Sequence, residues 1–343
     1  MKYYDGSKWS KINEEEQKQP LTDPTHTIRA TFRISEDEVG KELLLISSQL
    51  GGDSTAITKL YINGKESKNS KYGKFVFDAA GDYLFEIEFR DGITLSSSFN
   101  SVKELIALDC SNIFADISNC SVMCMNCTNL ESINFDNFAV SNTTHFTSIC
   151  SGCSNLSKVS FKNLKTNTNQ ETCYFNAAFK DCTKLSSFDF NEVFKNVQFR
   201  CKVEFTGFLE GSGITSFYMN NIKINASSFK NMFLNCTNLK HLIITNCIIC
   251  GLGEKSAAWT FGSLNIETIN FDNTEFVTCD LSSFLKRGND ESIPCNLSLT
   301  GTKFINCDLT NAFSDINTKT VNLTTTIFQN CFGSQIFTSN PYI

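Results

Sequence analysis

Three Cys-x-x-Cys pairs are the part of this chain best equipped for chemistry: Cys124/Cys127, Cys150/Cys153 and Cys247/Cys250. Thiolate pairs at this spacing are the knuckles of structural zinc sites. Adjacent pairs stacked one on another would complete a four-thiolate shell from Cys124, Cys127, Cys150 and Cys153. The same stacking would bring Cα atoms into disulfide range. The chain holds sixteen cysteines but only three histidines, His26, His145 and His241. No histidine accompanies a Gly-x-Ser-x-Gly elbow, and "GLGEKS" (251–256) lacks the order and spacing of a phosphate-binding loop. It reads as a loop between repeats. Carboxylate pairs such as Asp109/Asp116 suit an ordinary polar surface. A zinc-dependent or hydrolytic enzyme is therefore a distant alternative, and no cofactor or metal is expected.

The elements that position these cysteines repeat. From about residue 101 a unit recurs: a short aromatic run, then Asn/Gly/Asp-Cys-Thr/Ser, then L-x-x-h-x-h with h apolar. "NCTNLESINF" (126–135), "GCSNLSKVSF" (152–161), "DCTKLSSFDF" (181–190) and "NCTNLKHLII" (235–244) are the clearest copies. "GSGITSFYM" (211–219) and "GSLNIETINF" (262–271) are weaker ones. The first apolar position falls at Leu105, Leu130, Leu156, Leu185, Ile214, Leu239 and Ile266, with degenerate copies at Pro294 and Thr318. A period in the twenties with this pattern is the mark of a leucine-rich-repeat solenoid. One strand per unit cannot bury itself, so stacking is required, at the strand spacing of about 4.8 Å. Two inward columns follow. One is Ile133, Val159, Phe188, Phe217, Leu242, Ile269, Leu297, Val321; the other is Phe135, Phe161, Phe190, Met219, Ile244, Phe271, Leu299, Leu323.

In this register the cysteines change meaning. Cys127, Cys153, Cys182 and Cys236 share a column three residues before the aligned leucine, with Val102, Gly211 and Ser263. Cys124 and Cys150 fall six before it, where later units carry Phe179, Phe208 and Phe233. The first two Cys-x-x-Cys pairs are thus repeat phase, and buried free cysteine acts as a small hydrophobe. The zinc and disulfide readings stay as alternatives, weakest for Cys247/Cys250, which has no matching pair in a neighbouring unit. The Asn-x-Ser/Thr sequons at Asn126, Asn235 and Asn322 read as repeat grammar rather than glycan acceptors.

Composition bounds the function. The 343 residues carry 30 basic and 36 acidic side chains, a net charge of −6, which argues against a nucleic-acid partner. No apolar run reaches membrane-spanning length. The opening "MKYYDGSKWSKINEEEQKQP" has no apolar h-region, so no Sec signal is expected there, and reduced thiols follow. Residues 1–27 read as an anchoring segment and linker, with an Asp5-Gly6 hairpin turn between aromatic residues and His26 in the linker. Residues 28–100 alternate as short strands: "TIRATFRI", "LLLIS", "ITKLYING", "GKFVF", "YLFEIEF" and "ITLSSSF". "KFVF" and "YLFEIEF" around "DAAGD" predict a hairpin. The expected architecture is mainly β: a small antiparallel, sandwich-like domain over 28–100, then a leucine-rich-repeat solenoid of about eight or nine units over 101–343 with a C-terminal cap.

The units "MFLNCTNLKHLII" and "AAFKDCTKLSSFDF" resemble the BspA-like leucine-rich-repeat family over roughly residues 101–290. That resemblance implies a non-enzymatic solenoid used for adhesion or surface recognition. The opening "KYYDGSKWSKI" resembles the short peptides by which tailed-phage fibres and virion accessory proteins dock onto the particle. It implies anchoring through Tyr3, Tyr4, Asp5, Gly6 and Trp9; the alternative is that Tyr3, Tyr4 and Trp9 pack on the β domain. Together these point to a virion protein recognising a host-surface protein or glycan, with a bacterial or protist cell-surface adhesin as runner-up. Self-association into a homo-oligomer remains open. On the outward strand face, Ser132, Lys158, Ser187, Ser216, His241, Thr268, Asn296, Thr320 form one column. Asn134, Ser160, Asp189, Tyr218, Ile243, Asn270, Ser298, Asn322 form the other. Tyr218, His241 and Ile243 are the exceptions to small polar character, and they are the expected ligand-binding residues.

Overall fold

The computed structural model describes residues 2–4, 9–11, 26–47, 56–67, 73–90, 92–113, 117, 119–138, 145–164, 172–199, 201–253, 266–285, 294–314 and 316–337. The chain divides into two compact units, Met1–Asn167 with Asn196–Gln198, and Thr168–Lys195 with Phe199–Ile343.

The first unit holds eleven described strands: β1 (Lys2–Tyr4), β2 (Trp9–Lys11), β3 (His26–Ile34), β4 (Leu43–Leu44), β5 (Ile57–Ile62), β6 (Lys65–Ser67), β7 (Lys74–Val76), β8 (Gly81–Phe89), β9 (Leu105–Ile113), β10 (Ser132–Asn134) and β11 (Lys158–Ser160). They form two sheets, ordered β2-β1-β7-β4 and β11-β10-β9-β3-β8-β5-β6. The second sheet changes character midway. β3, β8, β5 and β6 are antiparallel, β3 pairs antiparallel with β9, and β9, β10 and β11 run parallel. One sheet thus carries the alternating segment straight into the first repeats.

Two sequence expectations fail here. β7 and β8 do not form a hairpin; they belong to different sheets. Phe75 and Phe85 instead meet edge to face at 4.9 Å, and both are fully buried. Facing strands bury these rings against each other, which edge-to-edge pairing would not. "ITLSSSF" is not a strand either. Ser97 and Ser101 adopt left-handed φ of 59° and 62°, and Leu95, Ser97 and Phe99 donate backbone N–H to Asn119, Ser121 and Met123. The stacked turns therefore begin near Leu95. His26, placed in the linker by sequence, opens β3 and stacks on Phe89 at 6.5 Å.

The second unit holds β12 (Thr172–Tyr174), β13 (Ser187–Asp189), the short α1 (Phe190–Val193), β14 (Lys202–Glu204), β15 (Ser216–Asn220), β16 (Lys223–Ser228), β17 (His241–Thr245), β18 (Ile248–Cys250), β19 (Thr268–Asn270), β20 (Glu275–Val277), β21 (Cys295–Ser298), β22 (Lys303–Ile305), β23 (Thr318–Asn322) and β24 (Ile327–Gln329). Odd and even strands separate into two parallel sheets, β13-β15-β17-β19-β21-β23 and β12-β14-β16-β18-β20-β22-β24. The fold is a β-solenoid of about seven turns. The sequence reading has one strand per unit; the structure has two. The first-sheet register matches the sequence alignment: Phe217 pairs with Leu242, Leu242 with Ile269, Ile269 with Leu297, and Leu297 with Val321. The degenerate copies therefore mark true strands: Pro294 immediately precedes β21 and Thr318 opens β23.

Local sequence explains the turns. The residue before each column cysteine is left-handed: Asn126, Gly152, Asp181 and Asn235 lie at φ 59°, 76°, 58° and 61°. Asn, Asp and Gly enter that region at least cost, so the recurrent Asn/Gly/Asp-Cys dipeptide is a turn signal. Gly211 is left-handed too, at φ 66°, and a Cβ there would lie 2.2 Å from Asp181 Oδ1. It matches Asp181, not Cys182. That turn is one residue shorter, so Ser212 takes the cysteine position, 3.5 Å from Cys236 Sγ, and Leu209 rather than Phe208 matches Phe179. Inside, rings stack along the solenoid axis. Phe188 lies 5.9 Å from Phe217, and Phe276, Phe304 and Phe328 stack at 5.4 and 5.2 Å with nearly parallel planes.

Candidate functional site: the outward strand faces and the thiol columns

All sixteen cysteines are unbridged; fourteen are buried, and Cys250 and Cys331 are half-buried. Their thiols serve the backbone. Cys127, Cys153 and Cys236 donate to the carbonyls of Phe99, Cys124 and Leu209 at 2.8, 2.9 and 2.9 Å, each in the preceding turn. A second position does the same with mixed chemistry. Cys247 reaches the Met219 carbonyl at 3.7 Å, while Thr274, Thr302 and Thr326 donate to the carbonyls of Ile244, Phe271 and Leu299 at 2.8–2.9 Å. Cysteine and threonine interchange because each offers one donor on a short side chain. Burial pushes the thiols of Cys110, Cys120 and Cys124 up, and those of Cys236 and Cys247 up to about 11. Such thiols resist the ionisation a metal ligand needs. Among the described residues no three His, Cys, Asp or Glu side chains are grouped to hold a metal ion.

The expected ligand-binding residues lie on β15 and β17. Tyr218 pairs with Ile243, and Ser216 pairs with His241. Tyr218 is 38% exposed; His241 and Ile243 are half-buried. The structure therefore brings Tyr218 and Ile243 side by side and sets His241 two residues before Ile243 on the same face. Lys240 and Glu267 pair at 2.8 Å beside them, and the Lys240 ammonium holds the Glu267 carboxyl below its usual range.

The Asp and Asn residues at the equivalent position have a structural task invisible in the sequence. Asp109, Asn134, Asp189, Asn270 and Asn322 each accept the backbone N–H two residues ahead, at 2.7–3.0 Å. Their polarity closes turns. Tyr and Ile side chains cannot do this job. Pairing of β15 with β17 runs on through Met219↔Ile244 to Asn220↔Thr245, whereas β19 pairs with β21 only as far as Asn270↔Ser298. At this place alone among the described first-sheet strands, the outward position carries large apolar side chains free of turn-closing work.

The anchoring residues fall in two groups. Tyr3 and Tyr4 lie on β1 and Trp9 on β2, with Tyr4 paired to Trp9 and Tyr3 to Phe75 of β7. Asp5 and Gly6 lie outside the described residues. The second sheet, missed by sequence reasoning, has its own outward face. Cys250, Val277 and Ile305 form one half-buried column; Ile248, Glu275, Lys303 and Ile327 form its neighbour, with Glu275 and Lys303 paired at 2.6 Å. The detectable signal was the recurring x-Phe-x triplet, Glu-Phe-Val at 275–277, Lys-Phe-Ile at 303–305 and Ile-Phe-Gln at 327–329. A cavity lined by Phe190, Phe217, Met219, Phe233 and Phe284 has only about 10 Å³ of free space, too little for a ligand.

No family model, curated protein or solved structure matches this chain.

Proposed function

We propose that the chain is a non-catalytic recognition protein. Its solenoid is a surface of the BspA-like, leucine-rich-repeat kind, carried behind a sandwich-like N-terminal β domain. Its setting is a phage virion that attaches to a host-surface protein or glycan, with Tyr3, Tyr4, Asp5, Gly6 and Trp9 as the particle anchor. The observation that carries the reading is the pairing of exposed Tyr218 with Ile243, on strands whose sheet neighbours carry turn-closing Asp189, Asn270 and Asn322 or the small Ser298 at this position. An aromatic beside an aliphatic on a rigid strand offers contact area at low entropic cost, and interfaces concentrate their energy in such anchors.

The test uses the purified chain, fluorescently labelled, on a panel of intact gut-type bacteria, some stripped by protease and some by glycosidase. Binding to a subset is expected, with at least tenfold loss for Tyr218→Ala/Ile243→Ala. Equal binding to all cells, or full binding by the folded double variant, would contradict the reading. Finding the chain in cell envelopes and not in purified particles would favour the adhesin alternative.

A further inference from the structure

Three cysteines repeat at one place in the last turns of the second unit. Cys279, Cys307 and Cys331 each stand two residues after β20, β22 and β24. The strands pair in full register, Val277↔Ile305↔Gln329, and backbone bridges continue beyond the cysteines at Asp280↔Asp308↔Phe332. The cysteines are therefore held one strand spacing apart, about 4.8 Å between Cα atoms, inside the range a disulfide accepts, about 4.4–6.8 Å. Their side chains point the same way: each thiol donates to a strand carbonyl of the preceding turn, Ile249, Phe276 and Phe304, at 3.5, 3.3 and 3.2 Å.

The three differ in access. Cys279 is 2% exposed, Cys307 is fully buried and Cys331 is half-buried in the last turn. Cys250 is the other half-buried thiol, but its strand partners are Asn225 and Val277. Only Cys331 combines access with a thiol in register behind it. The neighbouring Cys279 thiol, and to a smaller degree Cys331, hold the Cys307 thiol below its ordinary range, whereas burial raises Cys331. The buried member is the better thiolate and the accessible member the one a reagent meets first.

We propose that Cys331 and Cys307 form a reactive thiol pair that consumes a low-molecular-weight disulfide of the glutathione type and closes a disulfide between the last two turns. In the first step the Cys331 thiolate attacks one sulfur of the small disulfide. The old S–S bond breaks, one small thiolate leaves, and Cys331 carries the other as a mixed disulfide. In the second step the Cys307 thiolate attacks Cys331 Sγ, and the second small thiolate leaves. The two cysteine protons end on the two small thiols. Two cysteine thiols are oxidised and one small disulfide is reduced to two thiols. The product ties β22 to β24 and closes the loop between them.

Tryptic cleavage after Lys303 and Lys319 puts Cys307 alone in peptide 304–319 and Cys331 alone in peptide 320–343. The native chain is incubated with oxidised glutathione, free thiols are alkylated, and the digest is read by mass spectrometry. The expected product is the disulfide-linked pair of these two peptides. Cys307→Ser and Cys307→Ala should instead retain glutathione on Cys331, and Cys331→Ser should form neither product. A glutathione adduct persisting on Cys331 of the native chain would overturn the proposal. So would linkage of Cys307 to Cys279, or no reaction before denaturation.

Discussion

The two parallel sheets of the solenoid are built from the same turns yet divide their labour. In the first sheet β15 and β17 each bury two apolar residues, Phe217 with Met219 and Leu242 with Ile244, β13 and β19 bury one and are followed directly by a second, Phe190 and Phe271, and outward Asp189, Asn270 and Asn322 close turns. The three-residue strands β12, β14, β18, β20 and β22 of the second sheet bury one residue each, as Ile249, Phe276 or Phe304. Their outward face carries an apolar column, Cys250, Val277 and Ile305, beside a mixed one in which Glu275 and Lys303 pair. The first sheet is held by paired columns and fixed turn grammar, the second by a single stacked column of rings. Stability concentrated in one column is easier to damage by a single substitution.

Phe304→Ala should show this most strongly. The ring is fully buried between Phe276 and Phe328. Its loss should cost about 3–5 kcal/mol in chemical denaturation. A loss under about 1 kcal/mol would mean the second sheet does not depend on its ring column.

High pH should act next, through the thiol columns. Cys236 and Cys247 keep their protons to about pH 11, whereas an unfolded thiol loses its own near its ordinary value of 9.0. A raised folded-state pKa gives stability that is complete below pH 9 and lost as pH rises toward about 11, at about 1.4 kcal/mol per unit for each thiol. Cys307, lowered, has the opposite sign: its contribution grows as pH rises from its folded-state pKa to 9. Denaturation midpoints should fall between pH 9 and 11; a midpoint constant over that window would refute the buried-thiol account.

Gly152→Ala tests the turns. At φ +76° a Cβ would lie 2.3 Å from Asn126 Oδ1, and strain with clash should cost about 2 kcal/mol. Asn126→Gly should be nearly neutral, because Asn126 is already left-handed. The smallest effect belongs to Cys247→Thr. Thr274, Thr302 and Thr326 make the same bond in the following turns, so melting should change by less than about 1 kcal/mol, while Cys247→Val, which has no donor, should cost more.

The first sheet was legible because its strands announce themselves twice, through two inward apolar positions and through the Asn-Cys dipeptide that sets the left-handed turn. The register from Phe188 to Val321 could be aligned before any strand was seen. Outside the Phe-centred triplets of β20, β22 and β24 the second sheet left no signal: a three-residue strand with one buried side chain, such as Thr172–Tyr174 or Lys202–Glu204, has no period to detect. The "KFVF"–"YLFEIEF" hairpin failed because alternation fixes which residues face inward, not which strand lies beside them. At the candidate site, Tyr218 and Ile243 stood out in sequence by size alone. Why their neighbours are polar needed the structure, since the turn-closing bonds of Asn134, Asn270 and Asn322 leave no distinct pattern.

The contrast between the two outward faces yields the most direct test of the recognition account. Two double variants are compared with the parent chain for binding to intact host cells: Tyr218→Ala/Ile243→Ala on the first sheet and Val277→Ser/Ile305→Ser on the second. The account predicts at least tenfold weaker binding, about 1.4 kcal/mol, for the first with its melting temperature unchanged, and parental binding for the second. Parental binding by the first, or loss confined to the second, would contradict it.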